Sequence, residues 1–165
     1  MWLQPNDPPH IDPNDWLAQL HAHGYRTTAP RSAVVETVAA SRQALRPSEV
    51  LARARRQCAS LGLVTVYRTL EKLEALGLVR RVHHLDHCNA YVAASRLAPQ
   101  LLVCQDCGQT AYFQCEGLDQ LLTHLLTEQG FQIDHYWLQL VGRCQACQKR
   151  STVQRPGLDW KRVRS

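Results

Sequence analysis

Four of the chain's seven cysteines fall in two pairs, Cys104-Gln105-Asp106-Cys107 and Cys144-Gln145-Ala146-Cys147, with 36 residues between the pairs. A C-x2-C knuckle aims two sulfurs at one point. Two knuckles place four thiolates around a tetrahedral Zn²⁺ and leave no coordination position open, the structural kind of zinc site. Redox-active or buried free thiols are the alternatives, but a redox pair accounts for one such motif rather than two at the ends of one small unit. A second group, His83, His84, His87 and Cys88, gathers imidazoles and a thiol in a short stretch. These donors suit zinc; a polar turn is the competing reading. Cys58 reads as a small core or surface residue of a helix, and Cys115 has no nearby cysteine partner.

The gap between the cysteine pairs is longer than a tight zinc ribbon needs, so it must hold a small folded element. LLVC and TAYFQC read as strands. GLDQLLTHLLTEQG reads as a helix with Leu118, Leu121, Leu122, Leu125 and Leu126 on a broad apolar face, and FQIDHYWLQLVG as a further strand. A β-α-β unit of roughly fifty residues rarely stands alone without a metal, a disulfide or a partner subunit.

The first half is built differently. Asn14 is a candidate cap for a helix through DWLAQLHAH that Gly24 stops, and Thr28-Ala29-Pro30 starts a second helix. Pro47 opens a third, PSEVLARARRQCAS. A fourth covers VTVYRTLEKLEAL up to Gly77, with Val66, Leu70, Leu73 and Leu76 on one face. LVRRVHHLDHCNAYVAA then reads as two extended runs around a polar turn. Helix, turn, helix, hairpin is the order of a winged helix-turn-helix, whose last helix enters a DNA major groove. Tyr67, Arg68 and Lys72 lie on the outward face of that helix, as DNA contacts or as a solvated surface.

Charge divides the chain in the same way. Residues 24–94 hold eleven Lys/Arg against five Asp/Glu, whereas residues 95–150 hold four against five. A basic module joined to a near-neutral one fits nucleic-acid binding with an appended partner domain. No run approaches the ~18 apolar residues of a membrane span. The N-terminus lacks the basic and apolar regions of a signal peptide. A cytoplasmic protein is expected, where disulfides are rare. The expected organisation is a flexible leader over 1–13, a winged-helix DNA-binding domain over 14–93, a hinge over 94–100, a zinc-stapled dimerisation domain over 101–150 and a basic tail over 151–165. The fold class is α+β. An enzyme is not expected: four cysteines leave a zinc no open position, and neither H-E-x-x-H nor H-x-E with P-C-x-x-C occurs in the sequence. A zinc-ribbon interaction adaptor is a third class, which would require the basic half to lack DNA affinity.

The segments GYRTTAPRSAVVETV, LVTVYRTLEKLEALGLVRR, LLVCQDCGQ and CQAC together resemble the ferric uptake regulator (Fur) family of metal-responsive repressors, over about residues 14–148. The resemblance implies a homodimer that binds a double-stranded DNA operator, with no membrane and no small-molecule substrate. It implies one structural zinc per chain on Cys104, Cys107, Cys144 and Cys147. Thr65, Tyr67 and Arg68 of the T-V-Y-R-x-L helix become DNA contacts, with Lys72 on the same helix and Arg31 of the P-R motif in the second. His135 matches a histidine that ligates a second, regulatory metal, zinc or iron. His83 with Asn89-Ala90-Tyr91 resembles the zinc-sensing branch, Zur, which makes a zinc-responsive repressor the leading expectation.

The sequence also departs from that family. Ser95-Arg96-Leu97-Ala98-Pro99-Gln100 stands where sensor histidines usually precede the first cysteine pair. Ala93 or Ala94 replaces a strand ligand, Tyr112 replaces an acid, and Leu45 or Arg46 replaces a histidine. The expectation is therefore a sensor rebuilt from His83, His84, His87 and Cys88 with His124 or His135. The alternative is a Fur-like regulator that responds to iron or another signal, or binds DNA without metal.

Overall fold

The computed structural model describes residues 11–83, 89–94, 100–132 and 136–150. The leader up to residue 10, His84, His87, Cys88, the hinge residues 95–99, His135 and the tail from 151 lie outside the described residues, as does the side chain of His83. Among the described residues, no helix is long and apolar enough to cross a membrane.

Four helices come first: α1 (Pro13–Ala22), α2 (Ala29–Ala39), α3 (Pro47–Ala54) and α4 (Leu63–Ala75). Each of the first three carries a proline in its first turn, where a missing N–H costs nothing. The cap of α1 is Asp12, whose carboxylate accepts from the Asn14 N–H at 2.8 Å, and not Asn14 itself. Helix α3 stops at Ala54, before the expected Arg55–Ser60 stretch; Arg55 Nε instead donates to the Leu61 carbonyl at 3.0 Å. Helix α4 is capped by Leu76 and followed by Gly77, which takes φ +68° so that the Leu78 N–H can close on the Leu73 carbonyl at 2.8 Å. Val34, Val38, Val50, Val66, Leu70 and Leu73 are fully buried where these helices meet.

Strands β1 (Val79–His83) and β2 (Asn89–Ala93) form an antiparallel hairpin in the register Val79↔Ala93, Arg81↔Tyr91. Its residues alternate between two cores. Val79, Tyr91 and Ala93 face the helices, while Val82, Ala90 and Val92 face the second half of the chain. The near-continuous apolar run AYVA reflects this burial on both faces.

The second half folds as β3 (Gln100–Cys104), β4 (Thr110–Phe113), α5 (Glu116–Gln129), β5 (Leu138–Gly142) and α6 (Gln145–Arg150). The sheet order is β4-β3-β5, with β3 antiparallel to β4 and parallel to β5. Among the described residues the expected last strand is β5, and Cys147 of the second cysteine pair lies on a short helix the sequence had not signalled. Leu101 and Val103 point into the core while Leu102 is exposed, the alternation of a strand with one buried face. The protein is thus an α+β chain with an N-terminal winged helix and a small C-terminal β-α-β unit. Replacing Leu70, which has no exposed surface, with alanine is expected to lower the unfolding free energy by about 2–5 kcal/mol, read by chemical denaturation.

Candidate metal centre and nucleic-acid face

The parallel pairing of β3 and β5 brings both cysteine pairs to one end of the sheet. Cys104 closes β3 opposite Gly142 of β5. The chain turns through Gln105 and Asp106 to Cys107, with the Gly108 N–H on the Cys104 carbonyl at 2.9 Å and the Gln105 N–H on the Gly142 carbonyl at 2.8 Å. Cys144 follows β5, and Cys147 sits one helical turn on in α6, its N–H bonded to the Cys144 carbonyl at 3.0 Å.

The four sulfurs lie within 4.8 Å of one another. Cys107 Sγ and Cys144 Sγ are 3.7 Å apart, close to the ~3.8 Å separation of sulfurs at tetrahedral vertices ~2.3 Å from a zinc ion. The Cys144 N–H donates to Cys104 Sγ at 3.3 Å. None of the four is in a disulfide. Among the described residues this is the one grouping of His, Cys, Asp or Glu side chains able to hold a metal.

The electrostatics of the cluster fit a cation. Burial pushes the Cys104 thiol up, but N–H groups of Cys144, Cys107 and Asp106 together outweigh it and hold the thiol at about 6. Burial pushes the Cys107 thiol up to about 12 and the Cys147 thiol upward as well. One sulfur is a ready anion while its neighbours resist ionising beside it, and a bound cation removes that conflict. Arg150 Nη2 donates to Cys147 Sγ at 3.2 Å, and Arg143 Nε lies 3.1 Å from Asp106 Oδ2, which ties the end of β5 to the first knuckle. The residues present therefore fit zinc by number, donor type and spacing.

The structure gives other roles to the positions where a sensor would be sought. Leu45 is buried and pairs with Tyr91 through two backbone hydrogen bonds of 2.8 and 2.9 Å. Tyr112 is buried, and its hydroxyl donates to the Ala93 carbonyl. His124 is exposed on α5, with Nε2 3.2 Å from Glu128 Oε1. Cys58 lies against the helical core, and Cys115 precedes α5.

The DNA-reading candidates gather on α4. Val66, Thr69, Leu70 and Leu73 fix its inner face, so Val64, Tyr67 and Arg68 are held outward, Val64 at 63% exposure. Thr65 is half-buried, and its carbonyl accepts the Thr69 hydroxyl at 2.8 Å. Lys72 does not project freely: its ammonium sits 4.9 Å from the centre of the Tyr25 ring. Arg31 is half-buried and donates to the Arg26 carbonyl, bracing the turn before α2. Sequence reasoning overlooked Val64, because a valine in a helix is read as core. Its offset from the Val66–Leu70–Leu73 stripe is the signal that it faces out. Arg80 and Arg81 are engaged within the fold, against the Trp137 ring and with Glu74 at 2.7 Å.

Comparison with known proteins agrees with this architecture. The model of the ferric uptake regulator family matches residues 22–141. The zinc uptake regulation protein of Mycobacterium tuberculosis is 30% identical over 131 residues, covering 78% of this chain and 98% of that protein. The ferric uptake regulation protein of Bacillus subtilis is 28% identical over 138 residues, covering 81% and 93%. Among solved structures, the Vibrio cholerae ferric uptake regulator superposes with a TM-score of 0.66 at 25% identity, covering 77% of this chain and 98% of that one. Members of this family are regulators of transcription and not enzymes. With its winged helix, its small β-α-β unit and a match over most of its length, the chain belongs to the ferric uptake regulator family of metal-responsive transcriptional regulators.

Proposed function

We propose that the protein is a cytoplasmic, zinc-responsive repressor that binds a double-stranded DNA operator as a homodimer, with one structural zinc per chain on Cys104, Cys107, Cys144 and Cys147. The observation that carries this reading is α4, whose inner face is locked in a core while its first two turns offer Val64, Tyr67 and Arg68 to solvent. In a major groove, arginine reads guanine edges and an apolar side chain meets the thymine methyl. Thr65 and Lys72 contribute from the same helix and Arg31 from the first turn of α2, and exposed cations of the basic half such as Arg26 and Arg56 hold phosphates.

The apolar surface of the C-terminal unit supports the homodimer. Leu102, Leu140 and Val141 of the sheet and Leu121, Leu125 and Phe131 in and after α5 are exposed in the single chain. Large apolar residues exposed in such number on a small unit mark an interaction face. This also accounts for the leucine-rich face of α5 that the sequence displays.

The zinc response is assigned to His83 at the end of β1 and to His87 and Cys88 of the segment that follows it in sequence, with His135 from the second half. The zinc uptake regulation relative and the choice of imidazole and thiol donors support zinc. A second reading, a regulator responding to iron or binding DNA without metal, is favoured by the similarity to ferric relatives and by the apolar packing at Leu45, Ala93 and Tyr112. Operator affinity measured with zinc, with iron and with a chelator separates the two. The proposal expects zinc to tighten binding and chelation to weaken it; equal affinity under all three conditions rejects the zinc response.

Two variants test the rest. Arg68→Ala is expected to weaken operator binding by about 1–3 kcal/mol, roughly 5- to 150-fold, and to relax base preference at one position, read by fluorescence anisotropy on operator and scrambled duplexes. Cys107→Ser is expected to lose the zinc that wild type retains and to destabilise the C-terminal unit first, read by metal analysis and thermal unfolding, because a structural zinc contributes folding free energy directly.

A further inference from the structure

We propose that Arg150 is a positioning residue of the four-cysteine centre: its guanidinium fixes the Cys147 sulfur on its side of the metal and slows the metal's release. Helix α6 supplies the geometry. Arg150 lies one turn beyond Cys147, so the two side chains share a face of the helix. Arg150 Nη2 donates to Cys147 Sγ at 3.2 Å, and Arg150 Nε donates to the Ala146 carbonyl at 3.4 Å. The guanidinium is thus pinned at two points, with one arm on the sulfur. Cys104 takes a donor from the backbone, the Cys144 N–H at 3.3 Å. Cys147 takes a side-chain cation instead, a donor that a substitution removes without altering the knuckle.

The surroundings show why that sulfur needs a guard. Asp106, Cys107, Cys147 and Arg150 line a cavity of about 340 Å³ that opens to solvent. Cys147 is buried and Arg150 is exposed, so the guanidinium forms the outer layer over the sulfur. Asp106 Oδ2 lies 3.1 Å from Arg143 Nε, so the carboxylate at this mouth already has its own cation. Four thiolates outweigh the charge of one Zn²⁺, and a cation held against one of them offsets the excess where it is nearest to water. A sulfur that accepts a charge-assisted hydrogen bond gives up electron density to it. It is then a poorer target for the electrophiles that strip a ligand from its metal, the usual effect of groups that hold metal ligands from behind. This role rests on the proposed zinc on the four cysteines and adds the residue that keeps it there.

The test uses the full-length protein with its metal in place. Zinc transfer to an excess of chromophoric chelator gives the release rate. Labelling by iodoacetamide, mapped by mass spectrometry, gives the order in which the four sulfurs react. Cobalt(II) loaded in place of zinc adds a sulfur-to-metal absorption band. Arg150→Met keeps the length of the side chain and loses the donor. It is expected to release zinc on the order of tenfold faster, to make Cys147 react faster relative to Cys104, and to move the cobalt band to longer wavelength. Arg150→Lys, which keeps a cationic donor, is expected to recover most of the wild-type rate. Arg150→Gln takes the place of Arg150→Met should that variant fail to fold. Lys149→Met removes a neighbouring cation from the same helix end and is expected to change none of the three readouts. The role of Arg150 is overturned if Arg150→Met matches wild type in rate and band, or if Lys149→Met speeds release as much as Arg150→Met does. Wild type that carries no metal overturns the proposed centre itself, whereas zinc held equally well by wild type and Arg150→Met counts against Arg150 alone.

Discussion

The parallel pairing of β3 and β5 is the constraint on which the rest of this molecule depends. It brings two chain segments 36 residues apart to one end of a three-stranded sheet and sets Cys104 beside Gly142, so that the knuckles before and after α5 share a centre. The unit they close is small, and much of its apolar surface lies open on Leu102, Leu121 and Leu140. Burial of its own core is too little to hold such a unit together. In the proposed function, four thiolates on one cation supply the missing free energy and a second copy of the chain covers the exposed leucines.

The same turn reaches into the DNA-binding half. Gly108 follows Cys107 directly, and its carbonyl receives the Ala44 N–H of the segment that leads into α3. The metal knuckle, that segment and the helix layer beneath α4 are therefore neighbours in one mechanical chain. The hairpin completes it. With β2 buried on both faces, the strands of the wing form the wall between two cores.

Much of this was legible in the sequence, and the exceptions have physical causes. The helices of the first half announce themselves by proline starts and a 3.6-residue apolar period, and the metal centre by paired C-x2-C spacing. Helix α3 ends early because Arg55 finds the Leu61 carbonyl, a tertiary contact no local pattern contains. Asp12 caps α1 in place of Asn14, a choice between adjacent cap-forming residues. Helix α6 is six residues long, too short to show a period. Lys72 and Arg31 look free in a linear reading, yet a ring and a carbonyl claim them. Least legible was the contact between the two halves. Leu45, Ala93 and Tyr112 first register as missing ligands, and only the fold shows that they are packing and hydrogen-bonding residues in their own right.

The central claim is that the four cysteines hold a zinc that makes the C-terminal unit, and with it the dimer, possible. Native mass spectrometry of the purified full-length chain after mild chelation tests this most directly. The account predicts a dimer carrying one tightly held zinc per chain. A metal-free dimer whose four cysteines remain free thiols would contradict it.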